Sequence, residues 1–511
     1  MYARSFSGTV HGIDGMIVTV ETDIANGLPQ FDLVGLGGSA VKESRDRVRA
    51  ALRNSGFEYP MQRITVNLAP ADLRKEGSGF DLAIAMGILL ASKQIPKREE
   101  AILMLGELAL DGSLRPVSGV LPTLLQAQTE GFTHVILPEQ NAAEARLSDL
   151  TVLPAAHLAA AVQYWTTSLN EPAFTDEGES VPAAKTTTLD FSFVYGQTFV
   201  KRGLEVAAAG FHNVILVGPP GSGKTMLATC LPSIMPEMNM DESYDVTKIY
   251  SIAGQISGKT GLIRERPFRS PHHTVTMAAL VGGGAQSPRP GECSLAHGGI
   301  LFLDELPEFS RSVLEALRQP LEAGVVTIAR AKNVFTFPAR FLLIASLNPC
   351  PCGFYGSKDQ RECSCSPLQI QRYRAKLSGP LLDRIDLHLE VPRVPVHLLN
   401  QRSMSESSAA IRTRVEAART IQSKRFGHRA AFPFNSSMTG EELRRYCMLD
   451  KEGQELLQMA FETLGLSARA YDRIVKLSRT IADLAGAEEI GSAHVAEAIR
   501  YRALDRQVGV S

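Results

Sequence analysis

A chain of 511 residues with 53 Lys+Arg against 54 Asp+Glu has room for about three domains and is close to neutral. Its 44% hydrophobic and 21% charged residues are ordinary for a globular protein, so bulk charge announces no polyanion partner and any basic surface must be local. No apolar run reaches the ~18–20 residues of a membrane span, and "MYARSFSGTVHGIDG" lacks the apolar core of a signal peptide. The expectation is therefore a cytoplasmic, reducing compartment with no disulfides among the seven cysteines.

Residues 1–165 mix β-type runs, such as "MIVTVETDI" and "HVILP", with helical ones. In "SAVKESRDRVRAALRNSG", Val41, Val48, Ala51 and Leu52 share one helical face, and Gly56 follows as a stop. On the polar side, Ser44, Arg45 and Arg47 read either as a solvated face or as a DNA contact. "FDLAIAMGILLAS" reads as a buried helix. Residues 166–189 are polar and aperiodic and form a linker. From 190 to 393 strands alternate with helices, the pattern of a parallel α/β sheet. From 394 to 511 the pattern is helical.

"VILVGPPGSGKTMLA" sets an apolar strand before Gly218, Pro219, Pro220, Gly221, Ser222, Gly223, Lys224 and Thr225, with a helical pattern after them. That is P-loop spacing in its strand–loop–helix context. Backbone N–H groups would close on phosphate oxygens. Lys224 would reach the β- and γ-phosphates of ATP, and Thr225 would bind Mg²⁺. In "GGILFLDELPEF" a second apolar run meets Asp304 and Glu305. Asp304 would hold Mg²⁺ through water, and Glu305 would orient the attacking water.

Two segments interrupt this core. "RERPFRSPHHTVTMAALVGGGAQSPRPGE" carries Arg264, Arg266, Arg269, His272 and His273, then a glycine run. In "GVVTIARAKNVFTFPARF", 325–329 and 334–337 read as strands joined by a turn holding Arg330 and Lys332. "NPCPCGFYGSKDQRECSC" gives Cys350, Cys352, Cys363 and Cys365, four thiols in sixteen residues. In a reducing compartment that spacing favours structural Zn²⁺ over disulfides, with unligated thiols as the alternative. Cys230, Cys293 and Cys447 read as packing residues.

The adjacent acids after a P-loop resemble the AAA+ class of ring ATPases. "FLLIASLNP" then places Asn348 where such proteins keep a γ-phosphate sensor. "SGPLLDRIDLHLEV" resembles the arginine-finger segment of magnesium chelatase and MCM-type helicases, which implies Arg384 as a finger serving a neighbouring subunit. The alternative is a structural salt bridge to Asp383 or Asp386. "LGLSARAYDRIVKLSRTIADLAG" resembles the sensor-two helix of the same group, implying Arg469, or Arg473 instead.

"NLAPADLRKEGSGFDLAIAMGIL", "RPFRSPHHT", "RPGECSLAHGGILFLDELPEFSR", "LNPCPCG" and "YRAKLSGPLLDRIDLHLEVP" together resemble the ComM/YifB family of magnesium-chelatase-like AAA+ proteins. The resemblance implies a hexameric DNA helicase that drives branch migration during natural transformation. It places Arg330 and Lys332 on a pore hairpin facing the DNA backbone.

"RKEGSGFDLAIA" and "GELALDGSLRPVSGVLPTLLQA" resemble the proteolytic domain of Lon. The serine of that family's dyad falls beside Ser78 and its lysine on Leu121, so the domain reads as Lon-like without protease chemistry. The expected fold is then α/β overall: a Lon-like α+β N-terminal domain, an AAA+ parallel-sheet core and a helical lid. A chelatase motor and a Lon-like protease are the rival functions.

Overall fold

The computed structural model describes residues 1–35, 38–71, 75, 77–167, 189–256, 261–284, 288–330, 333–356, 362–394, 405–427, 433–464 and 467–502. In the N-terminal domain, β1 (Tyr2–His11) and β2 (Asp14–Ala25) form a long antiparallel hairpin. They are followed by β3 (Gln30–Val34), β4 (Arg63–Ala69), β5 (Ile102–Met104), a short ribbon of β6 (Glu107–Leu108) with β7 (Leu114–Arg115), β8 (His134–Pro138) and β9 (Thr151–Ala155). The main sheet runs β3-β4-β2-β1-β5-β8-β9.

The helix Ser39–Asn54 turns Val41, Val48, Ala51 and Leu52 inward, as their spacing requires. Each of the two valines and the leucine contributes roughly 1.5–3 kcal/mol. Helix Asp81–Ala91 is buried along its whole length, which accounts for its unbroken apolar run.

The second sheet is all parallel. Its strands are β10 (Val214–Val217), β11 (Phe268–Arg269), β14 (Ile300–Leu303), β17 (Leu342–Leu347) and β18 (Leu387–Glu390), in the order β11-β14-β17-β10-β18. Buried on both faces, β10, β14 and β17 read as continuous apolar runs rather than alternating ones. Two antiparallel ribbons project from this core: β12 (Gly282–Gly283) with β13 (Arg289–Pro290), and β15 (Val325–Ala329) with β16 (Val334–Pro338).

Helices Ser408–Phe426, Gly440–Tyr446, Lys451–Leu464, Ala468–Leu484 and Ser492–Arg500 form the lid. One hydrophobic cluster joins them to helix Thr198–Gly210 and to one face of the parallel sheet. Phe211 stacks on Phe434 at 4.3 Å between ring centroids. Among the described residues no helix is long and apolar enough to cross a membrane.

Among the described residues the N-terminal domain touches the core through its helical side and through the β1–β2 turn. The Gly119 N–H donates to the Ser251 carbonyl at 3.1 Å, and the Tyr244 hydroxyl to the Leu147 carbonyl at 3.3 Å. The His11 ring, at the β1–β2 turn, lies 4.6 Å from the Phe335 ring on β16.

Candidate nucleotide-binding site

The loop after β10 opens at the C-terminal ends of parallel strands, where open α/β sheets hold their ligands. Gly221 and Gly223 take left-handed φ values of 74° and 88° with open space where a Cβ would stand. Glycine is needed there for the backbone turn, not for room. Among the described residues the buried Ser222 hydroxyl has no hydrogen-bond partner, as a ligand-binding loop allows. Lys224 folds onto the loop, donating to the carbonyls of Gly218 (2.8 Å) and Pro219 (3.0 Å) and to Asn348 Oδ1 (3.1 Å). Burial lowers its pKa below the usual lysine value, with Asp304 and Glu305 opposing the shift.

Thr225 Oγ1 donates to Asp304 Oδ2 at 3.0 Å, so hydroxyl and carboxylate already share one point. That donor pair fits a hard cation such as Mg²⁺. Asp304 also accepts from Ser346 on β17, and the Glu305 N–H reaches Ser346 Oγ at 3.2 Å. Sequence reasoning misses Ser346, although a lone serine inside "FLLIASL" is its signal. Glu305 sits at φ 53°, ψ 50°, a left-handed conformation for a residue with a side chain. Such a backbone costs about 1–3 kcal/mol and gathers at functional sites. Here it leaves the Glu305 side chain exposed beside the loop.

Arg384 stands at the other end of the sheet. Val214 pairs with Leu387 and Val217 with Glu390, and Asn213 Nδ2 donates to the Arg384 carbonyl at 3.1 Å. At ~3.3 Å per residue, four strand residues put about 13 Å between that level and the phosphate loop. Its guanidinium donates to the Pro380 carbonyl at 2.6 Å and to Glu322. The expected alternatives, Asp383 and Asp386, are not its ion-pair partners. The Arg384 bond holds the Glu322 carboxyl below its ordinary range, and Arg469 and Arg318 add to the effect.

Arg473, the other sensor candidate, is bound instead to Asp386. Asp386 also accepts from His212, which contacts Thr480 through its second ring nitrogen. Burial pushes Asp386 upward, but Arg473, His212 and Lys476 outweigh it and hold the carboxyl well below the usual range.

The four cysteine sulfurs lie within 4.8 Å of one another. Cys350 is 3.4 Å from Cys352 and 3.7 Å from Cys363, and Cys352 is 3.6 Å from Cys363. A tetrahedron with Zn–S of ~2.3 Å needs sulfurs about 3.8 Å apart. The donor set and its spacing fit zinc. The Phe354 backbone N–H and the neighbouring thiols draw Cys352 down to about 6, while the same thiols push Cys363 up to about 12 and Cys365 upward, so the cluster holds protons unevenly without a metal. The other three cysteines are buried, and burial pushes Cys230 up to about 11 and Cys447 up to about 12, as inert packing thiols.

The two insertions meet. Arg330 Nη2 donates to the Gly284 carbonyl at 2.7 Å, joining the tip of one ribbon to the end of the other. Lys332 lies outside the described residues. Arg266 is tied to Glu242 and to the carbonyls of Pro236 and Gly298. Arg269 makes a two-point pair with Glu292 at 2.6 and 2.7 Å. These two arginines hold the core together and are not exposed cations, whereas Arg264 is exposed.

In the N-terminal domain Ser78 donates to Glu107, and Leu121 is buried in a helix. Lys75 is fully buried and its amine reaches the Pro70 carbonyl. Ser44 is buried and Arg47 pairs with buried Asp81, so neither belongs to a solvated face or a DNA contact. Arg45 pairs with Asp46 at the surface.

Fold and site together define a P-loop protein of the magnesium-chelatase-like AAA+ type. Three family models match: "Magnesium chelatase, subunit ChlI" over residues 190–399, "Subunit ChlI of Mg-chelatase" over 20–141, and "Magnesium chelatase, subunit ChlI C-terminal" over 405–502. The chain is 46% identical over 506 residues to the Competence protein ComM of Haemophilus influenzae, covering 98% of this chain and 97% of that one. It is 45% identical over 500 residues to the uncharacterized protein YifB of Salmonella typhimurium, covering 97% and 96%. Over 145 residues it is 30% identical to Lon protease 2 of Thermus thermophilus, covering 27% of this chain and 18% of that protein. The chain belongs to the ComM/YifB family of magnesium-chelatase-like AAA+ proteins.

Proposed function

We propose that this chain is an ATP-driven DNA motor, a branch-migration helicase that works in recombination during natural transformation. The carrying observation is the meeting of the two core insertions, where Arg330 bonds Gly284 beside a basic turn. A tip so built would present cations to a phosphate backbone without reading sequence. The likeness to a protein named for competence supports the same reading.

In this reading Lys224 and the loop N–H groups hold the ATP phosphates. Thr225 and Asp304 hold Mg²⁺, which supplies charge neutralisation at the phosphates. Glu305 orients and deprotonates the attacking water, and Asn348, bonded to Lys224, senses the γ-phosphate. Arg384 is too far from its own loop, so it serves the site of a neighbouring subunit in a ring, taken here as a hexamer. Arg469, whose charge acts on the same Glu322 carboxyl as Arg384, takes the sensor role on the helix Ala468–Leu484, while Arg473 is engaged with Asp386.

The double variant Arg330→Ala/Lys332→Ala tests the grip. ATP binding and assembly should survive. DNA affinity should fall, and the slope of log K against log[salt] should shrink by roughly 0.7–0.9 for each phosphate no longer neutralised. Unchanged affinity and slope would make this turn an ordinary surface loop.

Zinc is the proposed occupant of the Cys350, Cys352, Cys363 and Cys365 cluster. Purified protein should carry about one zinc per chain, with Zn–S distances near ~2.3 Å by X-ray absorption. Metal analysis that finds none, under conditions that retain zinc, rejects the assignment.

The chelatase reading draws on the family models and shares every ATP-site residue. It gives no role to the Arg330 turn, and DNA-stimulated turnover separates the two.

A further inference from the structure

The thiol cluster does not stand apart from the nucleotide site. Asn348, bonded to Lys224, lies two residues before Cys350. The Gly353 N–H closes the Cys350 turn at 3.0 Å. Gly353 has φ 85°, and a Cβ on it would stand 2.3 Å from Cδ of Pro220 in the phosphate loop. Phe354 donates its backbone N–H to the Cys352 sulfur, and its ring lies 5.3 Å beneath the Arg393 guanidinium. Arg393 in turn donates to the Pro220 carbonyl at 3.2 Å. The turn that carries two thiols thus touches the phosphate loop at Pro220 and reaches its lysine through Asn348.

We propose that the four-thiol centre is a positioning element for the phosphate loop, so that zinc and nucleotide bind this chain cooperatively. The inference rests on the zinc reading above and deepens it. Zinc fixes the turn 350–354, and the fixed turn holds Pro220 and Asn348 where the phosphates need them. Linkage makes the effect reciprocal: nucleotide that settles the loop must also raise the affinity for zinc by the same factor. Packed contacts of this kind couple two sites by about 5–150-fold.

The test is the equilibrium partition of zinc between the full chain and a coloured chelator of known affinity, with and without saturating ADP. ADP should lower the apparent zinc Kd about tenfold. Lys224→Ala, which disables the loop, should hold zinc with one Kd in both conditions. Gly353→Ala drives a methyl group against Pro220 and should weaken ADP binding about tenfold while zinc stoichiometry stays the same. A wild-type zinc Kd that is the same with and without ADP would overturn the coupling and leave the zinc assignment standing. A chain that holds no zinc at all would overturn both.

Discussion

Glu305→Gln is expected to bind ATP and assemble like the wild type while its turnover falls by about 10²–10⁴-fold, the usual contribution of a positioned general base. The reason is local. Lys224, Thr225 and Asp304 keep their contacts, because none of them uses the Glu305 side chain. The left-handed backbone at 305 is held by the N–H bonds to Asp304 and Ser346, which the amide does not disturb. Only the carboxylate proposed to accept the water's proton is removed. Steady-state turnover together with fluorescent-nucleotide binding checks both halves. Near-wild-type turnover would remove Glu305 from the role.

Arg384→Ala should cost as much or more, about 10³–10⁵-fold, because a finger completes the charge stabilisation of phosphoryl transfer. The position of Arg384, near Asn213 at the N-terminal end of β10, makes the prediction specific to a ring. Its own phosphate loop stays whole, so nucleotide binding should persist. Mixing Arg384→Ala subunits with Lys224→Ala subunits should restore part of the activity, since some interfaces then pair a sound loop with a sound finger. Demonstrably mixed rings that stay inactive would contradict the trans role. The ion pair with Glu322 would have to open, or carry its partner along, as the finger engages.

The sequence disclosed whatever depended on short spacing. The strands before the P-loop and before Asp304 are apolar runs buried on both faces, and they begin and end where their composition changes. The four thiols were legible as a cluster because sixteen residues contain them all. Long-range pairings were not legible. Nothing local tells that Arg384 will meet Glu322, 62 residues away, rather than the acids next to it. Arg266 and Arg269 looked like a basic loop because their partners, Glu242 and Glu292, are brought in only by the fold. Ser44 and Arg47 looked like a polar face because buried Asp81 belongs to another helix. The contact of Gly353 with Pro220 arises because the segment following β17 returns to the loop following β10, the neighbouring strand in the sheet. Sequence periodicity reports which side of an element is apolar. It does not report which charge waits on the other side of the core.

If hydrolysis at this site moves DNA, ATP turnover by the full chain must respond to branched DNA, and measuring it with and without that DNA decides the matter. DNA should raise turnover severalfold at low salt, the rise should fade as salt screens the phosphate contacts, and Arg330→Ala/Lys332→Ala should lose the rise while keeping basal turnover. Turnover that is the same with and without DNA, across salt concentrations and in preparations shown to form rings, would contradict it.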